Sequence, residues 1–176
     1  TSSNRFFSGT HLDLKIYGLR AELIAAKTSS YRSDLPPDVV AALLAEGVSS
    51  IDGPGWVYAY VIVGGSTVPN TLLVKVGASN DWERRMSEWE AQCFGEEQVW
   101  LVKIPAFYRF LTERVTHAIL EHEAVSRPIK KCQYCGRFHQ ERFVMRIQGP
   151  FGSNVEEAVI EAIERAIKIV AEFFDL

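Results

Sequence analysis

The chain has 176 residues, of which 47% are hydrophobic and 11% aromatic, so an intrinsically disordered protein is excluded and one domain with a packed core is expected. The formal net charge of −3 excludes a strongly basic nucleic-acid-binding protein. Residues 151–176 hold 2 Lys/Arg and 6 Asp/Glu, whereas residues 56–150 hold 12 and 10. The acidity is therefore concentrated at the carboxyl end, and the mildly basic middle permits a nucleic-acid partner without arguing for one.

The sequence contains no apolar run of the roughly 18 residues that a membrane-spanning helix needs, so we expect no membrane partner. The first residues, Thr1-Ser2-Ser3-Asn4, show no basic-then-apolar signal pattern. Three cysteines are an odd number and disfavour a disulfide framework. We therefore expect an intracellular protein, nuclear or cytoplasmic; its oligomeric state stays open.

Residues 1–55 predict a helical amino-terminal extension. Leu19–Lys27 is helical in composition, and Pro36-Pro37 is a start signal for a second helix, Asp38–Glu46, which Gly47 ends. Gly53-Pro54-Gly55 breaks both helices and strands and is the best candidate for a boundary.

Residues 56–150 predict a mixed domain, and residues 151–176 a carboxyl-terminal amphipathic helix packed on it. Aromatic and β-branched runs predict strands at Trp56–Val63, Thr71–Val76, Gln98–Ile104 and Glu141–Ile147. Helical spacing predicts helices at Asp81–Cys93 (capped by Ser79 or Asn80), Phe107–Ala124 and Val155–Phe174. The expected fold is α/β (α+β), a small antiparallel sheet flanked by helices, with helical extensions at both ends.

A cysteine and histidine motif predicts a metal site. Cys132-x-x-Cys135-x-x-x-His139 offers three ligands with the spacing of structural zinc sites. Four-coordinate zinc needs one more ligand, and Cys93 and His117 are the contenders. The alternative is a redox dithiol or two unligated thiols.

Three short motifs lie close together in the chain: Trp56-Val57-Tyr58, Lys75-Val76-Gly77 and Arg84-Arg85. A β-hairpin followed by a helix brings the tyrosine, the lysine and one arginine to a common surface. Phosphodiester cleavage needs a base for the attacking water, cations for the developing charge and often a carboxylate-bound metal. The ordinary alternative is that Tyr58 packs in a half-buried strand and the arginines lie on a solvated helix face.

In their order, these motifs resemble the GIY-YIG nuclease superfamily over about residues 56–147. The family has a first tyrosine motif, a second motif ending in glycine and an arginine eight residues after that glycine, which here is Arg85 after Gly77. The family's metal-binding glutamate lies on a later helix and matches Glu113 in Leu111-Thr112-Glu113-Arg114.

The closer resemblance is to the phage-type DNA-binding branch, which includes fungal, meiotically up-regulated members. That branch has a K-I-G motif, then R-R-x-x-x-W-x-x-x-C, E-R-x-x-H and C-x-x-C-x-x-x-H-x-E-x-F. This chain has Lys75-Val76-Gly77, Arg84-Arg85-x-x-x-Trp89-x-x-x-Cys93, Glu113-Arg114-x-x-His117 and Cys132-x-x-Cys135-x-x-x-His139-x-Glu141-x-Phe143. Two departures from the wider superfamily are Lys75 in place of a tyrosine and Ala78 in place of an arginine.

The resemblance implies metal-dependent hydrolysis of a phosphodiester in DNA or, less expected, RNA. Glu113 would hold Mg²⁺ or Mn²⁺, and Tyr58 would activate water with a pKa lowered by Lys75 and Arg85. Lys75, with an ordinary pKa near 10.4, would be a poor base and would steady the phosphate together with Arg85. His117 would assist by orientation or proton transfer.

The branch comparison also favours Cys93 over His117 as the fourth zinc ligand, giving a structural Cys₃His site of Cys93, Cys132, Cys135 and His139. Glu141 either completes the catalytic pocket, holds His117 or lies on the surface. Contacts to the nucleic-acid backbone are expected from Arg84, Arg114, Arg127, Lys130, Lys131 and Arg137. Two alternatives stay open: a nucleic-acid-binding module without cleavage, and a protein-interaction domain that uses the carboxyl-terminal helix.

Overall fold

The computed structural model describes residues 37–147 and 153–176, so the predicted helix Leu19–Lys27 lies outside the described residues. In chain order, the elements are α1 (Pro37–Glu46), β1 (Gly55–Ile62), β2 (Thr71–Ser79), α2 (Trp82–Gln92), β3 (Gln98–Ala106), α3 (Arg109–Glu123), β4 (Lys130–Lys131), β5 (Phe138–His139), β6 (Arg142–Arg146) and α4 (Ser153–Phe173). Among these residues, no helix combines the length and the apolarity that a bilayer crossing requires.

The four longer strands form one antiparallel sheet in the order β3-β1-β2-β6. The short strands β4 and β5 pair as a separate two-stranded ribbon. The predicted α+β fold, with a small antiparallel sheet flanked by helices, is therefore confirmed.

The two faces of the sheet bury different residues. From β1, Val57, Ala59 and Val61 face the main core that α1, α3 and α4 close, whereas Tyr58, Tyr60 and Ile62 belong to a second cluster with Trp89 of α2. Side chains alternate between the faces of a strand, so this division follows directly from the sequence. The aromatic face carries Tyr58, Trp89 and the cysteine and histidine cluster described below.

Helix α4 covers the main core through its apolar face, which packs mainly on α3 and β3. Its buried residues repeat at helical spacing: Val155, Val159, Ala162, Ile163, Ala166, Ile169, Val170 and Phe173. The predicted apolar face of this helix is thus buried against the rest of the chain.

Two local predictions were wrong in detail. Helix α2 is capped by Asp81, whose Oδ1 accepts a hydrogen bond from the Arg84 N–H, and not by Ser79 or Asn80. Ser79 is still the last residue of β2, and its hydroxyl donates to the Asp81 carbonyl instead. Strand β3 continues through Pro105 to Ala106, because β3 is an edge strand, where a missing N–H costs no ladder hydrogen bond.

Asp52, in the loop before β1, anchors the start of α3. Its side chain is 1% exposed, and its two carboxylate oxygens accept the backbone N–H groups of Phe110 and Leu111, each at 2.9 Å. These N–H groups lie in the first turn of α3 and have no partner within the helix. A residue from another part of the chain therefore provides the amino-terminal cap of the helix that carries Glu113.

We expect Asp52→Ala to lower the free energy of unfolding by about 2 kcal/mol, because two buried N–H groups lose a charged acceptor. Urea denaturation followed by circular dichroism measures the change. Asp81→Ala, which removes the exposed cap of α2, is the matched control and should cost about 1 kcal/mol or less. Equal losses for the two variants would contradict the anchoring role of Asp52.

Candidate functional site

A polar pocket lies at the edge of β2, where β6 stops pairing with it. β6 pairs with β2 only from Thr71 to Lys75. At the next residue, the Val76 N–H donates to the Glu141 carbonyl, and the Val76 carbonyl accepts a hydrogen bond from His117 Nε2 at 2.9 Å. This edge therefore brings α3 and the segment before β6 next to Lys75.

Tyr58 reaches the same edge across Gly77, which is its register partner on β2. A methyl group at Gly77 would overlap the phenol ring, so only glycine leaves the space that Tyr58 occupies. Trp89 Nε1 donates a hydrogen bond to Tyr58 Oη at 2.9 Å. The tyrosine is 1% exposed and is held in one orientation.

Trp89 is the central contact of the pocket. Lys75 Nζ lies 3.4 Å from the centroid of its ring, and the Arg85 guanidinium carbon lies 4.6 Å from it. Lys75 Nζ also pairs with Glu141 Oε2 at 3.3 Å, and Arg85 pairs with Glu88 at 2.8 Å. Arg85 and Trp89 are four residues apart on α2 and so share one helix face.

Glu113 and His117 approach from α3, with Glu113 Oε1 3.7 Å from His117 Nε2. The Val76 carbonyl can only accept, so Nε2 carries the proton and the imidazole ties α3 to β2. Burial lowers the pKa of His117 to about 4, so the ring is neutral at pH 7 and forms no ion pair with Glu113.

Burial also raises the pKa of Glu113 to about 8, with a further contribution from the nearby Glu141 carboxylate. The Lys75 and Arg85 cations oppose this shift. A buried carboxylate that lacks a charged partner in contact would be stabilised in its ionised form by a bound cation. The Glu113 carboxyl group is therefore mostly protonated at pH 7 unless a cation replaces its proton.

Two predicted pKa values are wrong. Tyr58 was expected to have a lowered pKa, but burial raises it, and this outweighs Trp89 and Arg85. Lys75 was expected to keep an ordinary value, but burial lowers its pKa to about 8, although Glu141 opposes the shift. The lysine is thus the more readily deprotonated of the two groups.

The second half of the site is a cluster of Cys93, Cys132, Cys135 and His139, whose ligand atoms all lie within 4.8 Å of one another. Cys93 Sγ is 3.9 Å from Cys132 Sγ and 3.7 Å from His139 Nε2, and Cys135 Sγ is 3.3 Å from the same nitrogen. With Zn–S bonds of about 2.3 Å and Zn–N bonds of about 2.0 Å, a tetrahedral site places two sulfurs about 3.8 Å apart and a sulfur about 3.5 Å from the nitrogen. The four residues therefore form a set that can bind a metal such as zinc.

The local backbone holds these ligands in place. The Cys132 N–H donates to the Arg137 carbonyl, and the Gly136 N–H donates to the Cys132 carbonyl, with Gly136 at φ 71°. The β4–β5 ribbon places His139 opposite Lys130. Burial raises the pKa of the Cys93 thiol to about 12, so this group becomes a thiolate only if a cation replaces its proton.

Of the two candidates for the fourth metal ligand, Cys93 lies in the cluster, whereas His117 lies in the polar pocket and bonds to Val76. Cys93 follows Trp89 by four residues, directly after the end of α2. The Trp89 ring is also 5.5 Å from the His139 ring. Helix α2 therefore connects the pocket to the metal centre.

A comparison with known protein families matches residues 71–170 to the family described as "Meiotically up-regulated gene 113". The chain belongs to this family. The match begins at β2 and includes Lys75, Arg85, Glu113 and the four clustered Cys and His residues, whereas Tyr58 precedes it. A search of curated proteins and a search of solved structures each found no match.

The basic residues predicted to contact nucleic acid divide into two groups in this member of the meiotically up-regulated gene 113 family. Arg84, Arg114 and Arg127 form ion pairs within the chain, with Glu88, Glu46 and Glu121 respectively. The others, Lys130, Lys131 and Arg137, are exposed on residues 130–139, the segment that carries three of the clustered residues and is called the metal loop below. The metal loop therefore presents the cations that are better placed for an external anion.

Three contributors to the site were not assigned a role from sequence: Asp52, Trp89 and the ion pair of Glu96 with Arg142. Arg142 and Glu96 pair at 2.8 Å and are nearly buried beside Tyr60. Only Trp89 had a signal, because it stands four residues from both Arg85 and Cys93. Asp52 and Glu96 meet their partners 58 and 46 residues away in the chain, a distance over which no local pattern acts.

Proposed function

We propose that this chain is a metal-dependent nuclease of the GIY-YIG type, which hydrolyses a phosphodiester bond of nucleic acid, with DNA as the expected substrate. The observation that carries this proposal is the convergence of a largely buried carboxylate, Glu113, with a lysine and an arginine beside one tyrosine. Glu113, Lys75 and Arg85 each influence the charge state of a neighbour in this pocket. The residues come from β1, β2, α2 and α3.

In this mechanism Lys75 accepts the proton of the attacking water, and Tyr58 orients that water. This reverses the roles expected from sequence, because Lys75 has the lowered pKa and Tyr58 the raised one. Arg85 supports the negative charge that develops on the phosphate, because its guanidinium is about one-third exposed and lies at the mouth of the pocket. His117 positions α3 through its hydrogen bond to Val76.

Glu113 is the residue that would hold a divalent metal, Mg²⁺ or Mn²⁺, and such an ion supplies Lewis-acid stabilisation of phosphoryl oxygens. The fit rests on the chemistry of the donor, because a largely buried carboxylate oxygen is the ligand type that Mg²⁺ prefers.

Zinc is the metal that we propose for the Cys93, Cys132, Cys135 and His139 cluster. Three sulfurs and one imidazole nitrogen at tetrahedral spacing leave no open position, so the site is structural and not catalytic. It fixes the end of α2 and the loop that carries Lys130 and Lys131.

The direct test is cleavage of a supercoiled plasmid and of labelled DNA and RNA duplexes by the purified chain with Mg²⁺ or Mn²⁺. Nicking that requires the divalent ion supports the proposal, and the preferred nucleic acid identifies the substrate. Binding without cleavage would instead favour a nucleic-acid-binding module that has no nuclease activity. The 1% exposure of both Tyr58 and Lys75 also favours this alternative. The protein-interaction alternative would use the exposed acidic face of α4, because the apolar face of this helix is buried.

We expect the cleavage rate to rise about tenfold per pH unit below pH 8 and to level off above it, because Lys75 must be neutral to accept a proton. The charged or titratable groups that interact with Lys75 are Glu141, Arg142, Glu113, His117 and His139. Initial rates between pH 6 and 9.5 at constant ionic strength measure this profile.

Lys75→Arg keeps a positive charge at this position but removes the ability to accept a proton, since a guanidinium keeps its proton throughout this pH range. We expect this variant to lose about 10²- to 10⁴-fold in rate and to lose the rising limb of the profile. Lys75→Met, which keeps the approximate volume without the charge, controls for packing. A wild-type profile in Lys75→Arg would show that Lys75 is not the base.

A further inference from the structure

A second concave surface lies beside the metal centre, on the aromatic face of the sheet. It is a cleft of about 560 Å³ between the end of β1 with the loop after it, residues 62–68, and the first part of the metal loop, residues 130–134. Its volume is within the roughly 300–1,000 Å³ typical of pockets for small organic groups. None of the residues proposed for catalysis lines it, so it is separate from the catalytic pocket.

The floor of the cleft is apolar. It is formed by Ile62, Leu73 and Val144, which belong to the buried cluster on this face. Glu96 and Arg142 also line the cleft, but they pair with each other at 2.8 Å and so neutralise each other's charge. A flat uncharged group, such as a nucleobase, fits such a floor better than an ion does.

The rim of the cleft is basic and aromatic. Lys130 and Lys131 are exposed on one wall, and Tyr134 presents a 38% exposed ring beside them. The Tyr134 ring lies against Gly95, where a side chain would overlap it, and meets Phe94 edge-on at 6.2 Å. Lysines at a rim bind phosphates, and an aromatic ring held in place stacks on bases.

We propose that this cleft holds an unpaired nucleotide of the nucleic-acid substrate, so that the protein prefers a duplex adjoining a single-stranded segment. A base within a duplex is stacked and paired and cannot reach an apolar floor, whereas an unstacked base can. Ile62 is four residues from Tyr58 along β1, about 13 Å, so the cleft and the catalytic pocket can engage one strand. This inference rests on the proposed action on nucleic acid.

Fluorescence anisotropy tests the preference by comparing a labelled blunt duplex with the same duplex carrying a short unpaired extension. The full chain is used with Glu113→Gln to keep the DNA intact. We expect the extended duplex to bind about five- to tenfold more tightly. Equal affinities for the two duplexes would overturn the inference.

Three substitutions locate the effect in the cleft: Lys131→Ala, Tyr134→Ala and Thr67→Glu. Each should reduce the preference to less than about twofold. Thr67 lies on the wall opposite the metal loop, so its substitution does not depend on the metal ligands. Two controls lie outside the cleft. Lys168→Ala on α4 gives the same change in net charge as Lys131→Ala and Thr67→Glu, and Phe138→Ala removes an exposed aromatic ring. Both variants should keep the preference for the extended duplex.

Competition with a free nucleoside monophosphate tests whether the cleft binds a nucleotide within a strand or a free nucleotide. If the monophosphate competes as well as an unpaired oligonucleotide at equal concentration, the cleft is a nucleotide site and the inference is wrong. A preference for the extended duplex without cleavage by the wild type would remove the nuclease proposal alone. If both duplexes are bound with equal affinity and cleaved at equal rates, only the inference about the cleft is wrong. Failure to bind either duplex would contradict both the nuclease proposal and this inference.

Discussion

Replacing Glu113 with glutamine should abolish cleavage, lowering the rate at saturating Mg²⁺ by about 10³-fold or more, because the amide loses the negative charge that holds the metal. The protein should remain folded, since burial raises the pKa of the Glu113 carboxyl to about 8 and a neutral group already suits this position. Single-turnover cleavage of a labelled duplex measures the rate, and thermal melting measures the fold.

Glu121→Gln is the matched control for this prediction, because it makes the same chemical change on the same helix at an exposed side chain. It should leave the rate within about twofold of the wild type. Wild-type cleavage by Glu113→Gln would show that the carboxylate does not hold the metal. Parallel losses in both variants would show that α3 was disturbed and not the site.

Removal of His139 should have the second-largest effect. We expect His139→Ala to reduce bound zinc from about one ion per chain to nearly none and to lower Tm by roughly 10 °C, because a structural zinc site contributes its binding free energy to folding. Metal analysis of the purified chain and a thermal melt with and without a chelator measure the two quantities.

His122→Ala is the control, because His122 is exposed on α3 and lies outside the metal cluster. It should keep both zinc and Tm. A thiol titration adds a further distinction: with bound zinc, all three cysteines become reactive together when the metal is removed. A wild-type protein without zinc, in which Cys132 and Cys135 form a disulfide, would establish the redox alternative.

The sequence was sufficient to predict the sheet, the helices and the metal cluster, because each depends on periodicity or on local spacing. The alternation from Trp56 to Val63 placed the tyrosines on one face, and the spacing from Cys132 to His139 matched a metal site. The cluster needed one distant ligand, Cys93, which the family resemblance supplied. The division of the chain into residues 1–55, 56–150 and 151–176 remains a prediction.

The protonation states could not be predicted, because they depend on burial and not on residue type. Lys75 and Tyr58 are both 1% exposed, so desolvation shifts both pKa values in the directions opposite to those that charge pairing would give. The Asp52 cap was missed for a related reason, since its partners are more than 50 residues away. Desolvation and long-range contacts appear only when the chain is folded.

The short pairing between β6 and β2 also affects how readily this protein associates with other copies of itself. A strand with unpaired backbone groups is a template for edge-to-edge association between molecules. Along β2, the Val76 N–H and carbonyl are taken by the Glu141 backbone and the His117 ring. His117 and the segment before β6 thus also protect β2 at Val76 from strand addition, a role that does not depend on any chemistry in the pocket.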